Sequence, residues 1–195
     1  MASILKVDKI RGTGLDSDTI SLDGTGNITI PKNVTFNGSV SGAGKVLQVK
    51  QAVKSDTQTT TASDFVDVTN LSVSITPSST SSKILVYSNV LCIGTQGAAG
   101  AWTRIVRDST AIGVADTAGS RIRAAAFGYA PDGGDTRQHA TMFLDSPSTT
   151  SAITYKAQFS ANATHTAYIN RTQNENDSTA YARGISTITV MEIAG

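Results

Sequence analysis

The strongest constraint on the fold is a period-two alternation of apolar and polar residues, which recurs through residues 46–195 without a convincing helical stretch. Residues 71–75 read Leu-Ser-Val-Ser-Ile, and this alternation places every second side chain on one face of a β-strand. Turn-forming residues separate the alternating segments, as in Pro-Asp-Gly-Gly-Asp at 131–135. The pattern predicts roughly ten short strands: 46–53, 65–68, 71–75, 83–93 with an interruption at 88–89, 102–107, 121–127, 138–144, 153–159, 166–170 and 185–193.

The number and shortness of these strands indicate the fold class. Residues 124–126, three alanines, are the one helix-like run, but Arg-Ile-Arg before it and Phe-Gly-Tyr after it fit a strand equally well. Many short strands joined by polar turns are typical of an antiparallel sandwich. We therefore predict an all-β chain whose residues 46–195 form an antiparallel β-sandwich head.

Residues 1–45 have a different composition, with seven glycines and Phe36 as the only aromatic residue. Their apolar residues come in short steps separated by turn residues, and so few apolar side chains cannot form a core within one chain. Copies of the chain could supply that core, which predicts a homotrimeric stalk of short β-repeats; a disordered linker is the alternative. The steps are Ile20 and Leu22, Ile28 and Ile30, Val34 and Phe36, then Val40.

The first ten residues contain a separate apolar group, namely Ile4, Leu5, Val7 and Ile10. The spacing of three residues does not fit a strand, and the segment is too short for an isolated helix. The polar, glycine-broken stretch 11–14 separates the group from the first step of the stalk. We predict that these four residues dock the chain onto a partner protein; the end of the stalk core is the alternative.

Charge and cysteine content exclude several classes of protein. The formal net charge is +1 and only 16% of residues are charged, so no field attracts nucleic acid or an anionic membrane. The longest aliphatic and aromatic run, 84–87, is too short to cross a bilayer, and the first residues do not resemble a secretory signal. Cys92 is the single cysteine, and its apolar neighbours predict a buried thiol in a chain made in a reducing cytosol.

Motifs for cofactors and metals are incomplete. Residues 42–45, Gly-Ala-Gly-Lys, lack the first glycine and the final hydroxyl residue of a phosphate-binding loop. Residues 16–18 lack the later ligands of a calcium loop. His139 and His165 have no partner at metal-ligand spacing, although a trimer axis would bring three copies of His165 together. We predict no cofactor and no metal.

Enzymatic cleavage of glycans would require two placed carboxylates. Most candidates lie in turns where Asp favours backbone hydrogen bonds, and nothing in the sequence pairs them. We therefore predict a protein that is not an enzyme and has no catalytic residue. The candidates are Asp116, Asp132, Asp135, Asp145, Glu175, Asp177 and Glu192.

Two loop tyrosines are candidates for surface recognition of carbohydrate or protein. Tyr129 precedes the glycine-rich turn 131–135, and Tyr181 follows the polar loop 174–179. Exposed aromatic side chains on a rigid β scaffold suit such binding. The alternative is that each ring packs into the sandwich and only its hydroxyl reaches water.

Four stretches resemble fibre and other appendage proteins of tailed bacteriophages, many of them marine. They are Met-Ala-Ser-Ile-Leu-Lys-Val-Asp-Lys-Ile at 1–10, Ser-Leu-Asp-Gly-Thr-Gly-Asn-Ile-Thr-Ile-Pro at 21–31, the strand-turn-strand at 73–86, and the closing strand at 185–193. The resemblance implies a jelly-roll-like head that assembles as a trimer. It also implies a structural role in the virion, assembled in the host cytoplasm, with no functional residue carried over.

The function expected from the residues and the resemblance is that of a tail fibre in host attachment. Its partners would be its own copies, other virion proteins (a tail adaptor, the tail tube or the capsid) bound through the N-terminus, and a host receptor or glycan. Neither nucleic acid binding nor membrane insertion is expected. A capsid decoration protein or head fibre is the alternative, and a glycan-degrading fibre enzyme is a third class.

Overall fold

The computed structural model describes residues 45–195 except 96, 98, 99 and 163. The predicted stalk and the predicted docking residues Ile4, Leu5, Val7 and Ile10 lie outside the described residues. Within the described part, all secondary structure is β-strand and every strand pairing is antiparallel, which confirms the predicted fold class. The described residues contain no helix that could cross a membrane.

Eleven strands occur in the described part of the chain. They are β1 (Val46–Lys54), β2 (Gln58–Thr60), β3 (Val66–Ile75), β4 (Lys83–Gly94), β5 (Gly100–Arg107), β6 (Thr110–Ile112), β7 (Ala126–Tyr129), β8 (Gln138–Asp145), β9 (Ile153–Ala161), β10 (Ala167–Ile169) and β11 (Ser186–Ile193).

The strand order identifies the topology of the sandwich. The first sheet has the order β1-β11-β4-β8, and the short strands β10 and β2 continue it from the end of β4. The second sheet has the order β3-β9-β5-β7. The short strand β6 also pairs with β5, next to β7. Eight main strands, divided between two four-stranded sheets in this order, form a jelly roll, as the resemblance implied.

The core lies between the two sheets and is formed by every second residue of the long strands. On the first sheet Ile84, Val86 and Val190 are fully buried, and on the second sheet Tyr155 and Phe159 face them. The alternation seen in the sequence is the cause, because successive side chains of a strand point to opposite faces. Cys92 is buried in this core, which confirms its predicted position.

Several strand predictions need correction. The predicted strands 65–68 and 71–75 are one strand, β3, whose register shifts between Asp67 and Ser72. The predicted interruption at 88–89 does not exist, because Ser88 points inward and β4 continues through it. The short strands β2 and β6 were not predicted.

The predicted strand 121–127 is wrong in position, because β7 covers only Ala126–Tyr129. The edge of β5 that β7 joins is shared with β6, which pairs with Ile105–Arg107. Only Gly100–Thr103 are left for β7. The preceding residues therefore lack a strand to pair with.

One buried carboxylate, that of Glu192, joins separate parts of the sandwich. The carboxylate of Glu192 accepts hydrogen bonds from Gln48 Nε2 at 2.6 Å and from the backbone N–H and hydroxyl of Ser78 at 2.7 and 2.6 Å. Burial acts to raise the pKa of Glu192, but these hydrogen bonds outweigh it and lower the pKa from 4.5 to about 2. Glu192 thereby ties β11 to the start of β1 and to the β3–β4 turn.

Candidate functional site

The exposed large apolar side chains of the described residues fall into two groups. Eight of the eleven belong to the first sheet or directly precede β11. The other three are Ile122, Phe127 and Tyr129, on β7 and the loop before it. Single exposed apolar residues are ordinary, whereas groups of them mark interaction sites.

The smaller group lies on the outer face of the second sheet. Phe127 is the register partner of Trp102, and Tyr129 is the partner of Gly100. Because Ala101 faces the core, Trp102 and its partner point outward. Phe127 is 71% exposed and Tyr129 is 47% exposed, so we call Trp102, Phe127 and Tyr129 the aromatic surface.

A cleft of about 700 Å³ adjoins the aromatic surface. Trp102 and Phe127 form one wall, and the loop between β6 and β7 contributes Arg121, Ile122 and Ala124. Several backbone hydrogen bonds hold the loop. The N–H of Ala115 donates to the carbonyl of Ala124 at 3.3 Å, and the N–H of Ala125 donates to the carbonyl of Thr103 at 2.9 Å. The cleft is therefore built on anchored backbone, next to a rigid sheet.

The chemistry of this cleft suits a flat ligand with both apolar and polar groups. The face of an aromatic ring is electron-rich and attracts the partly positive C–H groups of a sugar ring or a peptide side chain. Arg121 adds a positive charge, and Asn162 adds an amide that can both donate and accept hydrogen bonds. Mostly apolar clefts with a few polar groups are typical of ligand-binding sites.

Tyr181 lies in a different place, a polar pocket of about 280 Å³ in the loop between β10 and β11. Two arginines, Arg171 and Arg183, both pair there with the carboxylate of Glu175. Their charges largely offset that carboxylate, although Asp177 lines the same pocket without a described ion pair. The pocket offers hydrogen-bond donors and one half-buried tyrosine ring.

The structure brings together the two loops that the sequence marked for recognition. The N–H of Asn174 donates to the carbonyl of Gly133 at 3.0 Å. A Cβ at Gly133 would lie 2.6 Å from Asn174 Nδ2, so any larger residue at position 133 would displace the Asn174 side chain. Gly134 faces the ring of Tyr181. Tyr181 thus belongs to this loop pair, whereas Tyr129 belongs to the aromatic surface.

Five of the seven candidate carboxylates have contacts within the protein. Asp145 accepts two hydrogen bonds from Arg107, at 2.9 and 2.8 Å, and one from the hydroxyl of Tyr155 at 2.7 Å. The pKa of Tyr155 is raised, mainly by burial and secondly by this hydrogen bond to Asp145. Asp132 and Asp135 accept backbone N–H bonds within their own turn. Glu175 and Glu192 have the partners described above, while Asp116 and Asp177 are exposed.

The two histidines occupy unlike positions. His139 is buried on β8, and its Nδ1 lies 3.1 Å from Thr103 Oγ1. Burial lowers the pKa of His139 to about 4, so the ring is neutral at pH 7. His165 follows β9 in a loop, with its Nδ1 2.9 Å from Thr164 Oγ1. Among the described residues, no three His, Cys, Asp or Glu side chains are grouped as metal ligands.

Sequence reasoning found Tyr129 but missed Trp102 and Phe127. The alternation of Trp102 with Thr103 and Ile105 was visible, but both faces of that segment are mixed in polarity. The pairing of β5 with β7 decides which face is outside, and this pairing cannot be read from either segment alone. The period-two spacing of Phe127 and Tyr129 is the one local signal that indicated a shared face.

No protein-family model and no curated protein matches this chain. Among solved structures, the chain is similar to a mutant VP2 protein of infectious bursal disease virus in derived T=1 particles, with 12% identity and a TM-score of 0.39. A second structure of derived T=1 particles from this virus has 10% identity and the same TM-score. Both matches cover 85% of this chain, which spans only 41% of those chains.

A third similar structure is the tripod (BppUct-A-L) from the baseplate of bacteriophage Tuc2009, with 15% identity and a TM-score of 0.22 over the full length of both chains. By their names, all three are parts of virus particles. These weak similarities thus include viral structural proteins, but TM-scores below 0.5 do not establish a common fold.

Proposed function

We propose that this chain is a structural protein of a tailed-bacteriophage particle, a trimeric tail fibre whose head binds the host surface. The observation that carries the proposal is the aromatic surface, three aromatic side chains displayed beside a cleft on the outer face of a jelly roll. Exposing Phe127 to water is unfavourable for the isolated protein, and a ligand that covers the ring offsets that cost. The stretches of sequence that resemble phage appendage proteins favour a location in the virion.

The scaffold supports a binding role because it holds the aromatic rings without loop rearrangement. Trp102 and Phe127 lie on paired strands whose inward-facing neighbours, Ala101 and Gly128, are buried. Rigid aromatic anchors lose little conformational entropy when a ligand binds. A receptor glycan or a receptor protein loop fits this chemistry.

The proposed head acts by binding and not by cleavage. Glycan hydrolysis needs one carboxylic acid and one carboxylate on either side of the substrate. Asp145 and Glu192 are instead held by hydrogen bonds inside the sandwich, and Glu175 is paired with two arginines. We expect no release of reducing sugar when the protein is incubated with host envelope material.

The experiment is competition for adsorption. Purified chain, mixed with host cells before the phage is added, should reduce phage adsorption. Phe127→Ser should lose this effect, whereas Thr80→Ser should retain it, because Thr80 is exposed in the β3–β4 turn, beyond the end of β3 that pairs with Ile153. Equal competition by wild type and Phe127→Ser would contradict the assignment of the aromatic surface, and no competition by wild type would contradict host binding.

Tyr181→Ser compares the second candidate surface with the first. Tyr181 lines the polar pocket, so its replacement should leave competition unchanged if the aromatic surface binds the host. Loss of competition in Tyr181→Ser alone would move the binding site to the polar pocket.

A capsid decoration protein or head fibre is the second candidate. The larger group of exposed apolar residues, on the first sheet, favours an assembling protein without requiring a receptor. The position of the chain on the particle distinguishes the two candidates.

A further inference from the structure

The outer face of the first sheet carries three consecutive cross-strand rows without a charged residue. Residues that are opposite in register share a face of the sheet, so the pairings of β1, β11, β4 and β8 define each row. We call these twelve residues the first-sheet face: Val49, Met191, Leu85 and Leu144; Gln51, Thr189, Tyr87 and Met142; Val53, Thr187, Asn89 and Ala140.

The first-sheet face is both apolar and exposed to solvent. Eight of its twelve residues are apolar or aromatic, and the row that contains Val49 is apolar across all four strands. Met142 is 68% exposed, Val49 56% and Leu144 48%. A contiguous surface of this kind marks an interaction site in a soluble protein.

The outer face of the second sheet shows what a solvated face of this sandwich contains. There Lys156 pairs with Asp67 at 2.7 Å, and Gln158 donates to the same carboxylate at 2.7 Å. Arg104 in turn donates to Gln158 at 2.8 Å and stacks on Phe65. The outer face of the second sheet therefore carries charged side chains, whereas the first-sheet face carries none, although both faces belong to the same domain.

We propose that the first-sheet face packs against the same face of two further copies of this chain, around the axis of a homotrimer. This inference rests on the trimeric fibre proposed above. Residues close to a symmetry axis meet their own copies, and a charged side chain there would meet a like charge. A charge-free face is therefore what a contact between identical copies requires.

The point at which the stalk segment joins the head also indicates that further copies of this chain cover the first-sheet face. β1 begins at Val46, directly after residues 1–45, and β1 is the edge strand of this sheet. The stalk steps are too poor in apolar residues to form a core without copies of the chain. If three chains are joined through their stalk segments, each chain continues into its head at β1, the strand at the edge of the first-sheet face.

The size of the first-sheet face fits a contact that forms because the stalk segments hold the heads close together. Four strands and three rows, at the usual strand spacing and rise per residue, cover roughly 400 Å². A stand-alone specific interface buries about 800 Å² on each partner. A short tether raises the effective concentration of the heads to about the millimolar range, where a contact of half that size is populated. The aromatic surface, on the other sheet, would then face outward.

The test is cross-linking of full-length chain through single introduced cysteines. Met142→Cys is on the first-sheet face, and Phe127→Cys is the matched control on the second sheet; both positions are well exposed, so either change is compatible with folding. The native Cys92 does not interfere, because it is buried and burial raises the pKa of its thiol. A short bismaleimide is added, and the products are separated by denaturing electrophoresis.

We expect covalent dimers from Met142→Cys and none from Phe127→Cys, together with a trimeric mass by light scattering. Leu144→Cys, in the neighbouring row, should behave like Met142→Cys. A monomeric mass would overturn the inference. So would a Met142→Cys thiol that is protected but not cross-linked, because another segment or another protein would then cover the face. Phage adsorption is not measured here, so failure of this test and failure of host binding are separate results.

Discussion

Acidification between pH 7.5 and 4.5 should destabilise the head through one buried histidine, His139. Its ring is buried between the sheets, and its one hydrogen-bond partner in the described part is the hydroxyl of Thr103. Gly128 leaves just enough room, since a Cβ there would lie 2.4 Å from Nε2. Burial lowers the pKa of His139 from 6.5 to about 4, because an imidazolium in this position would lack water.

The size of the effect follows from the two pKa values. Below pH 6.5 the unfolded chain takes up a proton at this histidine, whereas the folded chain remains neutral until the pH nears 4. The unfolded state therefore binds more protons in this window, and the free energy of unfolding decreases as the pH falls. At about 1.4 kcal/mol per pH unit, the loss is roughly 2.7 kcal/mol at pH 4.5. Below about pH 4 this contribution no longer changes.

The assay is urea unfolding at pH 7.5, 6.0 and 4.5 at one fixed protein concentration, which keeps any subunit contribution constant. His139→Asn is the control, because its amide can keep the Thr103 contact but cannot titrate in this range. Wild type should lose several times more stability than His139→Asn across the window. His165 is present in both proteins, so its contribution cancels. Equal losses in the two proteins would refute the role of His139.

Three further changes test other parts of the account. Glu192→Gln should lower the free energy of unfolding by about 2–3 kcal/mol at pH 7, and the difference should shrink as the pH falls from 4.5 towards 2, where the wild-type carboxylate protonates. Gly128→Ala should cost about 1–3 kcal/mol by overpacking the buried imidazole, while Gly134→Ala, whose Cβ would have ordinary contacts at 3.7 and 3.8 Å, should change the urea midpoint little. Ile4→Asp with Val7→Asp should leave the trimer and head intact yet abolish incorporation into particles; normal incorporation, or loss of the trimer, would contradict the docking assignment.

The sequence was sufficient for the fold class because each long strand carries its own alternation. Residues 71–75 alternate strictly, and they show which side chains are buried without reference to any other strand. Jelly-roll topology came from the resemblance, since strand order depends on contacts between distant segments. The position of β7 could not be predicted, because it depends on how much of β5 is left unpaired by β6.

The candidate surfaces were harder to predict for a related reason. Val49, Leu85, Met142 and Met191 come from four strands, and each looks like an ordinary strand residue in its own segment. Only the register places them together on the first-sheet face. Tyr129 was predicted because a loop signal lies beside it, whereas Phe127 and its partner on β5 required knowledge of the pairing.

Immunogold labelling of purified phage particles, with an antibody against residues 46–195, tests most directly whether this chain is a virion component. We expect gold at a defined place on every intact particle, with label at the tail for a fibre in host attachment and label on the capsid for the second candidate. An antibody that detects the chain in infected cells but leaves purified particles unlabelled would show that the chain is not a virion component.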